Sequence, residues 1–347
     1  MTEYIEAVNL TKKFPITKSY RDIIINPFRK KVVTALSHVN ISIKKGELFA
    51  LLGSNGAGKT TLVKIFCTLV LPTSGKAFVN GLDVTTAGND IRKKIGYVLS
   101  DERSFYWRLT GRQNLRFFAI LNNIPKCEIK RRTQSVLECV GLTQHADRRF
   151  KDYSTGMRKK LAIARGLVVD PEILFMDEPT SGLDPLIAEN IRKLIKNKLV
   201  EEEKKTVILT THNLKEAEEL CDRLAVIDKG EIKAVGSVEE LKRQVSSYKR
   251  YVVGLKILHH DILEKIERVN NVKQVVTASN GSPSTVPQIE IEISKDNGTG
   301  PQLIREIMSA GGNICSFYEK QISLEELYPK LLDFEKKEQE RRYDPMH

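Results

Sequence analysis

An apolar run, LFALL at 48–52, passes directly into Gly53-Ser54-Asn55-Gly56-Ala57-Gly58-Lys59-Thr60-Thr61 and then into LVKIFCTLV. No other segment constrains the fold as tightly. The spacing GxxxxGKT between a strand and a helix builds a cradle for phosphate. Its glycines let successive backbone N–H groups curl around phosphate oxygens without Cβ clashes. The helix that opens at Lys59 points its positive end at the same anion. Lys59 adds a point charge for β- and γ-phosphates, and Thr60 offers a hydroxyl to Mg²⁺. Residues 53–61 are therefore candidate nucleotide-binding residues on an α/β core.

A second apolar run, ILFMD, ends in adjacent carboxylates, Asp177 and Glu178, followed by Pro179 and Thr180. A buried strand that stops at an acid delivers the charge to the sheet edge, beside the phosphates. Asp177 is a candidate to hold Mg²⁺ through water, and Glu178 is placed to polarise an attacking water. DEPTS could also be an ordinary helix cap; the phosphate loop upstream argues against that. A third apolar strand, VILTTH, ends at His212, which it would bring to the γ-phosphate as a hydrogen-bonding sensor of hydrolysis.

Together with Tyr153-Ser154-Thr155-Gly156-Met157 and the following RKKLAIARGLV, these residues resemble the nucleotide-binding subunit of an ATP-binding cassette transporter over about residues 1–240. The pentapeptide is similar to that family's LSGGQ signature, with Thr155 in place of a glycine and Met157 in place of glutamine. The YSTGM form resembles exporter-type subunits whose membrane proteins are separate chains. Ser181-Gly182-Leu183-Asp184 is similar to the family's D-loop, and Phe14 to the aromatic residue that stacks on adenine.

The resemblance implies a P-loop NTPase core with an antiparallel β subdomain and a helical subdomain at about 100–168, all within residues 1–245. It also implies that two such domains, here two copies of one chain, meet head to tail around two Mg-ATP. Ser154, Thr155, Gly156 and Met157 of one copy then cap a helix N-terminus aimed at the γ-phosphate held by the other. ATP closes the pair, hydrolysis reopens it, and a multi-span membrane permease converts the motion into transport. One departure bears on rate. IGYVLSDERSFYWRLTGRQNL lacks the family's glutamine after the strand, and Ser100 or Asp101 stands there. Asp101 is a candidate contact to nucleotide and Mg²⁺ whose charge would alter hydrolysis and leave ATP binding. Phe105-Tyr106-Trp107 follows, either an anchor for the membrane subunit or packing for the helical subdomain.

The C-terminal stretch 246–347 has its own order of predicted elements, strand–helix–strand–strand–helix–strand, the split βαβ pattern of an α+β ferredoxin-like domain. It carries no catalytic constellation. His259-His260 reads as surface, and the ending SLEELYPKLL is similar to a terminal helix found in some exporter subunits. Dimerisation, regulation or a stability cap are the roles open to it. Upstream, residues 1–14 predict a short edge strand. TVILTTH and RLAVIDKGEIKAVG predict a strand and a hairpin turning at Lys229-Gly230.

Charge and composition narrow the remaining classes. The net charge is 56 − 44 = +12, part of it in the basic segment 16–34. Such a surface favours an anionic membrane face or nucleic acid, or the segment is a solvated basic loop. No nucleic-acid module accompanies it, so membrane proximity is expected and a nucleic-acid partner is not. Five scattered cysteines without a CxxC pair read as reduced thiols, and no structural metal is expected. The longest apolar runs are five residues, against about 20 for a membrane span, and MTEYIEAVNL lacks the pattern of a signal peptide. The expected location is the cytoplasm, peripheral on the cytoplasmic face of a membrane. Two other readings compete with an exporter ATPase. A soluble cassette ATPase of translation or DNA repair is opposed by the single P-loop and the lack of coiled-coil or zinc insertions. A weakly hydrolysing regulatory module is opposed by Glu178 and His212.

Overall fold

The computed structural model describes residues 4–15, 32–99, 104–245, 248–278, 287–294, 299–320 and 323–332. The chain divides into two compact units, Met1–Val238 and Glu239–His347.

In the first unit, an antiparallel sheet is built from β1 (Ile5–Pro15), β2 (Val32–Ile43), β4 (Ser74–Val79) and β5 (Leu82–Asp83), in the order β2-β1-β4-β5. The expectation of an edge strand at the N-terminus is corrected here. Ile5 pairs with Ile43 on one side and Val79 on the other, so β1 is internal. Its second neighbour, β4, lies in a stretch whose Pro and Gly residues read as turns. Asn80 (φ 51°) and Gly81 (φ 73°) close the β4–β5 hairpin with two left-handed residues, as a two-residue hairpin of the favoured twist requires.

The turn at Lys45-Gly46 carries the chain from β2 into a second sheet. There β3 (Leu48–Leu52), β6 (Ile95–Val98), β7 (Ile173–Asp177), β8 (Thr206–Thr211), β9 (Arg223–Asp228) and β10 (Glu231–Gly236) take the order β10-β9-β3-β8-β7-β6. All neighbours are parallel except the β9–β10 hairpin. Every residue of β3 and β8 is buried, which is why these strands read as continuous apolar runs and not as alternation. The core joins both sheets through Ile5, Leu36, Phe49, Phe66 and Phe175, and Phe66 stacks on Phe175 at 6.1 Å between ring centres.

The helices of this unit are α1 (Lys59–Phe66), α2 (Gly88–Lys94), α3 (Gly111–Leu121), α4 (Lys126–Cys139), α5 (Thr155–Leu167), α6 (Pro185–Lys193) and α7 (Leu214–Leu220). Beyond α6 the chain continues with π-helical winding over Leu194–Glu202. Helices α3–α5 form the helical part of the unit. Thr110 and Gln113 make a reciprocal capping box at the start of α3. Phe105 stacks on Phe150 at 4.7 Å and meets Phe118 edge-on at 5.6 Å.

The second unit begins with α8 (Val238–Val245), whose first residue is the last of the first unit. It continues with β11 (Tyr248–Leu255), α9 (His260–Glu267), β12 (Val272–Ala278), β13 (Gln288–Ser294), α10 (Thr299–Ser309), β14 (Ile314–Lys320) and a helix at 324–332. Its sheet runs β12-β13-β11-β14, antiparallel throughout. That is the ferredoxin-like sandwich expected from the sequence. QIEIEIS alternates as a half-buried strand must. Ile289, Ile291 and Ile293 enter the core with Ile262 and Leu303, while Glu292 and Glu290 meet Arg250 and Lys320, each at 2.6 Å.

Candidate nucleotide-binding site

Strands β3, β8 and β7 are immediate neighbours. Their C-terminal ends therefore bring three separate sequence motifs to one sheet edge, where open α/β sheets bind ligands. The loop after β3 wraps residues 53–58. Gly58 has φ 110°, and a Cβ there would lie 2.7 Å from the carbonyl oxygen of Ala35. The position is closed to any side chain on both counts. Gly58 caps α1 without a side-chain hydrogen bond, and the helix's first turn carries no acid. Its orphan amides are left for an anion.

Lys59 Nζ donates to the carbonyl oxygens of Gly53 at 2.7 Å and Ser54 at 3.0 Å. The ammonium thus lies inside the loop. Burial lowers its pKa below the ordinary lysine value, and the charges of Glu178 and Asp177 pull it part of the way back. The loop and Glu178 line a cleft of about 230 Å³ together with Ala35.

Thr60 and Asp177, 117 residues apart, meet at the floor. Thr60 Oγ1 lies 3.2 Å from Asp177 Oδ1, and Thr210 Oγ1 donates to the same oxygen at 2.5 Å. A hydroxyl and a carboxylate so placed offer hard oxygen ligands of the kind Mg²⁺ takes beside substrate phosphates while keeping several waters.

Glu178 adopts φ 47°, an uncommon left-handed conformation for a residue with a Cβ. It is held by its N–H, which donates to both the carbonyl (3.1 Å) and the hydroxyl (3.2 Å) of Thr210. The kink swings the carboxylate off the strand axis. Oε1 comes to 2.9 Å from His212 Nδ1. Glu178 also lines a second cleft of about 360 Å³ with Ser181, Gly182, Leu183 and His212, so it stands at the border of the two.

Ser154 caps α5, its Oγ accepting from the Met157 N–H at 3.3 Å. Ser154 and Thr155 are exposed. Gly156 is buried, where a Cβ would meet Ile187 at 2.7 Å.

This geometry has relatives. The family model described as ABC transporter matches residues 36–181, and the model for the ATP-binding protein DrrA1-3-like C-terminal domain matches 236–331. The ABC transporter ATP-binding protein NatA of Bacillus subtilis (strain 168) is 37% identical over 213 residues, covering 61% of this chain and 86% of that protein. The chain belongs to the ATP-binding proteins of ABC transporters. The daunorubicin/doxorubicin resistance ATP-binding protein DrrA of Streptomyces peucetius is 33% identical over 294 residues, 85% of this chain and 86% of that protein. Among solved structures, the cassette MJ0796 is similar at TM-score 0.58 and 27% identity, covering 67% of this chain and 98% of that one. It was solved as a dimer in a post-hydrolysis state bound to ADP and Pi. This ABC subunit is accordingly an ATP-binding ATPase, as its sequence motifs implied.

The remaining expected residues of the cassette fall in different places. Asp184 occupies the N-cap position of α6, without a side-chain cap and followed by Pro185. Phe14 stands in β1 with Lys12 Nζ 4.8 Å from its ring centre; it is not on the wall of the P-loop cleft. The signature residues 154–157 line neither cleft of their own chain. Asp101 and Ser100 lie outside the described residues, as does most of the basic segment 16–34. Phe105 is core at 4% exposure, while Trp107 is 47% exposed under the guanidinium of Arg158, 4.7 Å from its ring.

One residue of the site was missed. Glu216, only 2% exposed, accepts hydrogen bonds from Thr180 Oγ1 and, at 2.6 Å, from Thr211 Oγ1. It ties the loop after Glu178 to the strand end before His212. The available signal was the spacing Asn213-x-x-Glu216, an N-cap pattern; the Asn213 side chain does accept from the Glu216 N–H at 3.1 Å.

Proposed function

We propose that this ABC ATPase works as a homodimer around two Mg-ATP and drives export through a separate multi-span permease, from the cytoplasmic face of the membrane. The observation that carries the hydrolytic half is the Glu178 carboxylate, turned off its strand, 2.9 Å from His212 and on the wall of the P-loop cleft. In this reading Lys59 exchanges its two carbonyl partners for β- and γ-phosphate oxygens, and the uncapped first turn of α1 holds the rest of the anion. Thr60 and Asp177 would hold Mg²⁺, which neutralises charge on the phosphates. Glu178 orients the attacking water, and His212 contacts the γ-phosphate.

Dimerisation is supported by the signature. Ser154 and Thr155 are exposed at a capped helix start that faces neither cleft of its own chain, which suits the P-loop of a second copy, and the related cassette MJ0796 was solved as a dimer. Export is supported by relatives whose names record resistance, DrrA and the linearmycin resistance ATP-binding protein LnrL of Bacillus subtilis (strain 168), 31% identical over 302 residues. Among the described residues no helix is long and apolar enough to cross a membrane, and the proposal places the translocation path in the partner chain. Affinity capture of the tagged chain from solubilised native membranes tests it. A stoichiometric multi-span protein is expected by mass spectrometry. Ribosomes or repair proteins in a soluble fraction, without a membrane partner, would overturn the exporter reading.

A further inference from the structure

Helices α3 and α4 form an antiparallel hairpin whose turn lies at 122–125, and the space between them is a cavity of about 830 Å³. That is the size of a small-molecule site, about 300–1,000 Å³. None of its lining residues lines either cleft of the ATPase site.

The hairpin register sorts the lining into two ends. Near the turn Ile120, Ile124, Pro125 and Ile129 line it, with the polar Asn123 and Lys126 beside them. Ile129 is buried, yet Ile120 remains 60% exposed at the rim. Farther along the helices the lining is cationic and polar: Arg112 and Arg116 on α3, Lys130 and Thr133 on α4. The i, i+4 spacing of Arg112/Arg116 and of Lys126/Lys130 sets each pair on one face of its helix, so cations stand on both rims. Among the described residues no Asp or Glu lines the cavity. Arg112 is committed to Asp147 and Gln134, both at 2.9 Å. The side chains of Arg116, Lys126 and Lys130 have no ion-pair or hydrogen-bond partner among the described residues. By contrast, Arg131 and Arg132, elsewhere on α4, both reach Glu128.

The second observation is Thr133. It is 1% exposed, it lines the cavity, and its Oγ1 has no hydrogen-bond partner among the described residues. A helical threonine ordinarily bonds back to the carbonyl one turn earlier, and buried hydroxyls are rarely left unpaired. Here the hydroxyl stands unpaired among the described residues, at the same end as Arg116 and Lys130.

We infer that the α3–α4 cavity binds an anionic amphiphile, one acyl chain bearing a phosphate or carboxylate headgroup. The headgroup sits against Arg116, Lys130 and the Thr133 hydroxyl, and the chain runs between Ile120, Ile124 and Ile129 toward the hairpin turn. Charge complementarity selects the headgroup, and the apolar end demands the chain; an inorganic anion satisfies the first and not the second.

The test is calorimetric titration of the full chain with dodecyl phosphate below its micelle concentration, against dodecanol and inorganic phosphate at equal concentration. One dodecyl phosphate per chain is expected, with binding by neither control. Arg116→Ala and Lys130→Ala should each weaken it about tenfold, the loss of one charge-assisted hydrogen bond. Thr133→Val, nearly isosteric, should weaken it severalfold, and Ile120→Asp should abolish it. All four variants should keep basal ATP turnover. Co-sedimentation with phosphatidic acid vesicles identifies the source. Vesicle binding that Ile120→Asp removes assigns a bilayer lipid to the cavity, and monomer binding with no Ile120-dependent vesicle binding assigns a free one. The inference is overturned if dodecyl phosphate does not bind, or if Arg116→Ala and Lys130→Ala leave its affinity unchanged. It is also overturned if monomeric dodecyl phosphate still binds Ile120→Asp with wild-type affinity, or if an acidic amphipathic peptide binds there and the amphiphile does not.

Discussion

Replacing Glu216 by alanine removes the acceptor that joins the Glu178 loop to the His212 strand. Each hydrogen bond to a charged group contributes about 1.5–3 kcal/mol. Glu216 accepts two, from Thr180 and Thr211, and Thr211 is itself buried, so its hydroxyl has no water to turn to. A loss of about 3 kcal/mol is expected, which for a unit of this size lowers Tm by roughly 6–12 °C at about 2–4 °C per kcal/mol. Glu216→Gln keeps one carbonyl acceptor and should lose about half as much. Calorimetry reads the stability, and a cycle with Thr211→Val isolates the pair, whose coupling should be about 1.5–3 kcal/mol. Because the bonds also fix where His212 stands relative to Glu178, kcat should fall with KM for ATP little changed. Additive single and double variants, or a Tm for Glu216→Ala within a degree of the wild type, would refute the reasoning.

Three further outcomes follow from particular contacts. Gly58→Ala places a Cβ 2.7 Å from Ala35 O at φ 110°, so it should abolish binding of a fluorescent ATP analogue; retained affinity would contradict the tight seat assigned to the loop. Trp107→Ala should bind ATP normally but weaken co-purification with the proposed permease, since the ring is half exposed; undiminished recovery would count against that surface. The Tyr4 hydroxyl donates to Glu172 at 2.6 Å and, with Lys94 and Lys45 nearby, holds that carboxyl below its usual pKa. A depressed carboxyl contributes its stability above the unfolded-state pKa and loses it as pH falls through the folded one. The Tm difference between wild type and Tyr4→Phe should therefore be full at neutral pH and shrink below about pH 4.3; a difference independent of pH would exclude this linkage.

The chemistry of the site was legible where it is local. A glycine-lysine-threonine spacing after an apolar run, and an apolar run ending in two acids, describe their own strand ends without reference to the rest of the chain. The order of the second unit was legible for the same reason, since QIEIEIS displays its two faces directly. What was hidden depends on partners distant in sequence. Strand β4 begins with Ser74, Gly75 and Lys76, and only pairing with β1 makes it a strand. That pairing also takes β1 off the edge. Glu216 looks like any acid in LKEAEEL until Thr180 and Thr211 close over it. The left-handed turn at Glu178 is imposed by Thr210 on the neighbouring strand, which no local pattern announces.

The central claim is that Glu178 acts on the water while two copies close around ATP. Glu178→Gln with Mg-ATP tests it most directly, with turnover and sedimentation velocity read on the same sample. The expected result is ATP bound, hydrolysis lost, and a stable dimer that reverts to monomer when nucleotide is removed. Turnover at the wild-type rate, or a monomer at saturating Mg-ATP, would contradict it.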